Sequence, residues 1–233
     1  MKIYAVKVSE ISKEKMDELC ELIDLEKKCR IEKYINTKDK VRALIGEILI
    51  RTIILESFNV DNKHISFNKN QYGKPYLEEY PNFSFNISHS GDYVLCAIDG
   101  KPIGVDVEEI KPIDYEGIVK SFFTEKESEY IVSKELKFSL NRFYEIWTLK
   151  ESYIKCCGQG LAMPLNSFSI QIDQSKDIKV IKDNEYNQHA FKLFDIDSGY
   201  KVAVCSISKE ICNNIIRLEQ GSLIDKYTRL NLE

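Results

Sequence analysis

FSFNISHSGDYVLCAIDGKPIGVDVEEI, residues 83–110, reads as three strands in succession. Phe83, Phe85 and Ile87 alternate with Ser84, Asn86 and Ser88, the two-residue period of a strand with one apolar face. Ser90-Gly91-Asp92 marks a tight turn into a second strand, YVLCAI, so a hairpin with His89 at its bend is expected. In IGVDVEEI, Ile103, Val105 and Val107 share one face, while Gly104, Asp106 and Glu108 share the other. Two carboxylates thus stand about 7 Å apart on one side of a strand, at a rise of about 3.3 Å per residue.

Downstream, FYEIWTLKESYIKCCG (143–158) places Phe143, Ile146, Trp147, Ile154 and Cys157 on one helical stripe. Lys150 falls in the middle of that stripe, Glu151 at its edge and Lys155 one turn further on. A lysine stem starting there either snorkels to water or ends in a cleft that holds an anion. Glu151 and Lys155 also fit an ordinary i,i+4 surface pair worth about 0.3 kcal/mol. Before this helix, residues 125–133 are expected to be helical, with Thr124 as N-cap and Glu127 completing a capping box. After it, the chain breaks at Gly158 and Gly160 and re-enters a strand.

Upstream, KIYAVKV reads as a strand, residues 13–30 as a helix with a charged side, and Lys38–Phe58 as a long helix. Lys27, Lys28, Arg30, Lys33, Lys38, Lys40 and Arg42 crowd together, more positive charge than a plain solvated face requires. QYGKPYL contains a turn built on Gly73 and Pro75. SGDYVLCAI (90–98) is echoed by SGYKVAVCSI (198–207), which suggests two lobes of similar build, 1–102 and 103–233.

The 233 residues, 43% apolar and 30% charged, exclude a disordered or collagen-like chain and can bury a large core. There is no apolar run of the roughly 18 residues a membrane span needs, and the N-terminus lacks a secretory h-region; a cytoplasmic protein is expected. Seven cysteines without CxxC spacing point to neither a disulfide framework nor a zinc site. A net charge of −4 argues against a broad nucleic-acid surface.

Asp106, Glu108 and Glu151 would form an all-oxygen cluster if the 143–158 helix packs on the IGVDVEEI strand. Magnesium suits such a set, because it binds through one or two carboxylates and accepts substrate phosphates. Lys150 and Lys155 alongside it would neutralise a diphosphate during displacement at phosphorus. His89 either donates to a phosphate oxygen or is a structural hydrogen-bonder.

FNISHS, IGVDVEEI, FFTEKE and WTLKESYIKCCGQGL, in this order and at these spacings, resemble the 4′-phosphopantetheinyl transferases of the larger, two-lobed type that activates surfactin synthetase. The likeness runs over nearly the whole chain. It implies an α+β fold of two similar lobes related by a pseudo-twofold, each an antiparallel sheet packed against a long helix, in a monomer. It further implies transfer of the phosphopantetheine arm of coenzyme A to a serine of an apo peptidyl or acyl carrier protein. On the same resemblance, Asp106, Glu108 and Glu151 hold Mg2+, and Lys150, Lys155, Ser88 and His89 face the phosphates. Lys27, Arg30 and Arg42 hold the 3′-phosphate, with Lys74 and Pro75 beside adenine, and Ala43 stands where a hydroxyl residue often follows the arginine. Glu151, with Lys155 and His89 assisting, is the expected catalytic base. Phe122, Phe123 and the connection 111–121 are the expected carrier contact, and a magnesium-dependent phosphohydrolase acting on a nucleotide is the alternative.

Overall fold

The computed structural model describes residues 1–132, 138–183, 185–186 and 188–232. Two units of the same chain order make up the α+β fold. In the first, β1 (Lys2–Lys7) leads through α1 (Lys13–Cys20) and α2 (Leu25–Glu32) to α3 (Thr37–Phe58). After the short pair β2 (Asn68–Lys69) and β3 (Pro75–Tyr76), the unit closes with the hairpin β4 (Ser84–Ser90) and β5 (Tyr93–Asp99). In the second, β6 (Ile103–Glu109) leads through α4 (Tyr115–Phe122) and α5 (Glu125–Val132) to α6 (Ser139–Cys157). After β7 (Ser169–Ile172), β8 (Ile178–Lys182) and β9 (Glu185–Tyr186), it closes with β10 (Ala190–Phe194) and β11 (Tyr200–Ser206).

In both units the last strand lies between the other two and runs antiparallel to them, in the orders β1-β5-β4 and β6-β11-β10. The two echoing sequence segments are these central strands, β5 and β11. The chain then returns: β12 (Ile216–Leu218) pairs parallel with β1, and α7 (Gln220–Leu230) packs on α3. It therefore crosses the proposed division at 102/103 a second time.

Strand alternation sorts the core into three layers. Val94 and Cys96 of β5 join the cluster around α3, while Tyr93, Leu95 and Ala97 face the other sheet together with Ile103, Val105 and Val107 of β6 and Val202 and Val204 of β11. Ala203 and Cys205 pack under α6. α3 is buried almost all round, as an all-round apolar helix must be, because α1, α2 and α7 cover its back. Its buried Arg51 donates from Nε to Glu47 Oε1 at 2.8 Å and pairs with Asp24.

That pair explains one departure from expectation. The segment 13–30 is two helices rather than one, since Asp24, at the start of α2, leaves helical geometry to meet Arg51. His89 lies within β4 opposite Val94, and the bend is Gly91-Asp92, with Gly91 at φ +55°. Residue 133 of the expected 125–133 helix lies outside the described residues.

The second unit depends on Gly104. A methyl there would overlap the Ser152 carbonyl oxygen and the Cys156 backbone nitrogen, so only glycine lets α6 lie against β6. Gly104→Ala is expected to cost at least about 2 kcal/mol in urea unfolding. Gly100→Ala, whose methyl would meet only Asn82 O at 3.7 Å, is expected to stay within about 0.5 kcal/mol of wild type. Equal stability of the two variants would refute the close approach.

Candidate active site at the seam of the two sheets

β4 and β6 are edge strands of different sheets, and they meet through side chains. The Val105 N–H donates to Asn86 Oδ1 at 2.9 Å, the Val107 N–H to Ser88 Oγ at 3.3 Å, and the Glu109 N–H to Ser90 Oγ at 3.1 Å. Both strands repeat every two residues, so three alternate side chains meet three alternate amides. The hydroxyls then donate onward, Ser88 to Asp106 Oδ1 at 3.0 Å and Ser90 to Glu108 Oε2 at 2.8 Å.

α6 covers this row. Lys155 Nζ donates to Asp106 Oδ1 at 2.6 Å and to Ser88 Oγ at 3.0 Å. Burial raises the Asp106 carboxyl above its ordinary range against the pull of Lys155 and Ser88. Burial and then the Asp106 charge push Glu108 up to about 6, opposed by hydrogen bonds from Ser90 and Trp147. Burial and Asp106 also raise Glu151, against Lys155. Burial thus raises all three carboxylates, and the Asp106 charge acts on both of the others.

Asp106 Oδ2 is buried and has no hydrogen-bond partner. An orphaned oxygen among crowded carboxylates is the donor set of a hard cation, so these residues fit magnesium. Their oxygens do not close into a tight trio: among the described residues, the three-residue group with ligand atoms all within 4.8 Å is Cys156, His189 and Cys205. Asp106 is tied to Lys155 instead, and uncompensated carboxylates repel.

The basic residues gather on the other side of β4. Lys27, Arg30, Arg42, Pro75, Asn86 and His89 line a cavity of about 190 Å³. Lys27 Nζ stands 3.1 Å from Glu47 Oε2. Arg42 donates from Nη1 to Gly91 O at 2.5 Å, and its buried Nε has no partner. Partial desolvation, with Arg42 and Lys155 adding to it, holds His89 below its ordinary value, so its imidazole is neutral at pH 7. Asn86 both lines the cavity and bonds Val105, which joins cavity and seam.

Two lysines point away from their expected ligands, Lys150 from the phosphates and Lys74 from the adenine. Lys150 is wholly buried; its ammonium donates to Glu127 Oε1 at 2.5 Å and to Phe168 O at 2.9 Å, and lies 4.3 Å from the Phe168 ring centroid. Burial holds it below the usual lysine range, opposed by Glu127. Glu127 also accepts from the Ile170 N–H at 2.7 Å and, as half of the capping box, from the Thr124 N–H at 2.8 Å. The ammonium of Lys74 binds the carbonyls of Lys155 at 2.6 Å and Ile103 at 3.0 Å, so it ties its loop to the end of α6. Asn86, Ser90 and Trp147 were not singled out in the sequence. The signal for the first two was the polar face they share with Ser88.

A family model described as the 4′-phosphopantetheinyl transferase superfamily matches residues 102–205, and one described as 4′-phosphopantetheinyl transferase, N-terminal, matches residues 10–101. The chain is 34% identical to 4′-phosphopantetheinyl transferase Sfp of Bacillus subtilis (strain 168) over 225 residues, 96% of this chain and 100% of that one. It is 37% identical to 4′-phosphopantetheinyl transferase gsp of Aneurinibacillus migulanus over 220 residues, 94% of this chain and 91% of that one. Among solved structures, a holo-(acyl-carrier-protein) synthase from Bacillus anthracis aligns with TM-score 0.38 and 18% identity over 45% of this chain and 93% of that one.

Lys150→Ala strands Glu127 in the core and is expected to cost about 3–5 kcal/mol in urea unfolding; wild-type stability in that variant would contradict the buried pair. The raised Glu108 value means the folded chain binds this proton more tightly than the unfolded chain. Ionisation therefore penalises the fold above about 6, and the penalty fades as pH falls through that value. In EDTA, Glu108→Gln should melt above wild type at about pH 7.5, and that advantage should shrink as pH falls from about 6 through the unfolded-chain value of 4.5 and be lost below it. A difference independent of pH would count against the electrostatic account.

Proposed function

The chain belongs to the 4′-phosphopantetheinyl transferase superfamily, and we propose that it moves the 4′-phosphopantetheine arm of coenzyme A onto a serine of an apo carrier protein, peptidyl or acyl, releasing adenosine 3′,5′-bisphosphate. The observation that carries this reading is the meeting of Asp106, Glu108, Glu151 and Lys155 at one seam, joined to a cavity lined by Lys27, Arg30 and Arg42. The relatives named above are transferases, and the phosphohydrolase alternative is set aside.

Lys27, Arg30 and Arg42 bind the 3′-phosphate, a use that suits the unpartnered Arg42 Nε. Pro75 lies beside the adenine, and Lys74 holds that loop against α6 rather than touching the adenine itself. Asp106, Glu108 and Glu151 hold magnesium, which when bound neutralises the diphosphate of coenzyme A and stabilises the leaving group. Lys155 donates to the same phosphates, and the neutral His89 donates an N–H to them from the β4 side.

Glu151 takes the proton of the carrier serine as its oxygen attacks the phosphorus next to the pantetheine arm, and the bond to adenosine 3′,5′-bisphosphate breaks. At the seam beside Lys155, the Glu151 carboxylate is placed to accept that proton in the transition state. Exposed Phe122 and Ile113 offer an apolar contact for the carrier, whereas Phe123 stacks on Phe143 in the core. Both halves of the site lie in one chain, which supports a monomer. No described helix is long and apolar enough to cross a membrane, and we place the reaction in the cytoplasm.

The test is mass spectrometry of an apo carrier incubated with the protein, coenzyme A and magnesium. Glu151→Gln should lower transfer at least about 100-fold with the fold intact, and EDTA should stop wild-type transfer until magnesium is restored. Near-normal turnover in either arm would overturn the assignment.

A further inference from the structure

The second core contains a cluster that the transfer chemistry leaves unused. Cys156 near the end of α6, Cys205 near the end of β11 and His189 just before β10 bring one ligand atom each within 4.8 Å of one another. Cys156 and Cys205 are 3% and 0% exposed, and neither is in a disulfide. His189 Nδ1 is buried with no hydrogen-bond partner, and its ring stands edge-on to Tyr153 at 4.9 Å.

The fold forces this grouping. Cys205 lies opposite Gly104 in the β6–β11 register, and the Cys156 backbone nitrogen sits where a Gly104 side chain would begin. The closest approach of α6 to the sheet thus drives two sulfurs together, and the β10 register brings His189 beside them. A buried imidazole nitrogen that faces only thiol sulfurs is poorly satisfied, and a bound ion would satisfy it. Two thiols and an imidazole form a soft-to-borderline donor set, which selects zinc over the hard cation of the seam. Tetrahedral bonds of about 2.3 Å to sulfur and 2.0 Å to nitrogen require ligand atoms roughly 3.5–3.8 Å apart, within the observed grouping. Cys157, half-buried and with its sulfur against His189, is at hand for a fourth position.

We propose that Cys156, His189 and Cys205 form a zinc site, closed by Cys157 or by water. It ties the last turn of α6, immediately after Lys155, to β11 and to the start of β10. The assignment stands independently of the transfer reading.

The test titrates Co2+ into the untagged, full-length, phosphine-reduced protein. One equivalent should produce a thiolate-to-cobalt charge-transfer band with tetrahedral ligand-field bands, and one equivalent of Zn2+ should remove both. Co2+ bound at the carboxylate seam gives no thiolate band, so the two sites are told apart. Cys205→Ala should abolish the band. Because that buried change can itself disturb folding, His189→Gln serves as a second variant. It should weaken cobalt binding at least tenfold, the size of even an outer-shell loss at metal sites, with its circular dichroism unchanged. Cys29→Ser, at an exposed position, should keep the band. Absence of a charge-transfer band in wild type, or its survival at full strength in both Cys205→Ala and His189→Gln, would overturn the proposal.

Discussion

The seam between β4 and β6 rests on three side chains that stand in for a missing backbone ladder. Asn86, Ser88 and Ser90 accept the amides of Val105, Val107 and Glu109, which would otherwise be buried donors without partners. A backbone ladder there would have merged the two sheets into one. Side-chain acceptors hold the edges together yet leave a polar row between them, and the serine hydroxyls have a proton left to donate to Asp106 and Glu108. Holding the fold and orienting the carboxylates are therefore two ends of the same hydrogen bonds.

The carboxylates show what this arrangement costs. Asp106, Glu108 and Glu151 all sit above their ordinary range because burial removes water, and the Asp106 charge raises the other two further. Lys155 offsets part of this through Asp106 Oδ1 and leaves Oδ2 orphaned. Such a site gains most from a ligand that carries positive charge in, and its seam adjoins a cavity whose own charge is positive. Opposite fields on the two sides of β4 are suited to one molecule that is anionic at one end and meets a cation at the other.

Gly104 couples fold and site through distance alone. By letting α6 touch β6, it sets Lys155 against Asp106 and Cys156 against Cys205. Lys150 and Glu127 brace the opposite side of the same helix from within the core, where Phe168 O and the Ile170 amide complete the pair. Two lysines of one helix motif thus face opposite ways, with Lys155 on the seam side of α6 and Lys150 on the core side.

Much of this was legible in the chain alone. The two-residue period of 83–110 established the strands, the strand face of Asp106 and Glu108 followed from alternation, and the crowded lysines and arginines of 27–42 announced a concentration of positive charge, part of which lines one cavity. These features are local, and backbone geometry translates local sequence directly. The destination of Lys150 was not legible, since its partners are Glu127 and the Phe168 carbonyl, and only packing decides which buried anion a mid-stripe lysine meets. The grouping of Cys156, His189 and Cys205 has no local spacing signature for the same reason. Sequence determined which side chains share a face of each element; the tertiary structure decided which faces meet, because that depends on contacts between elements remote in the chain.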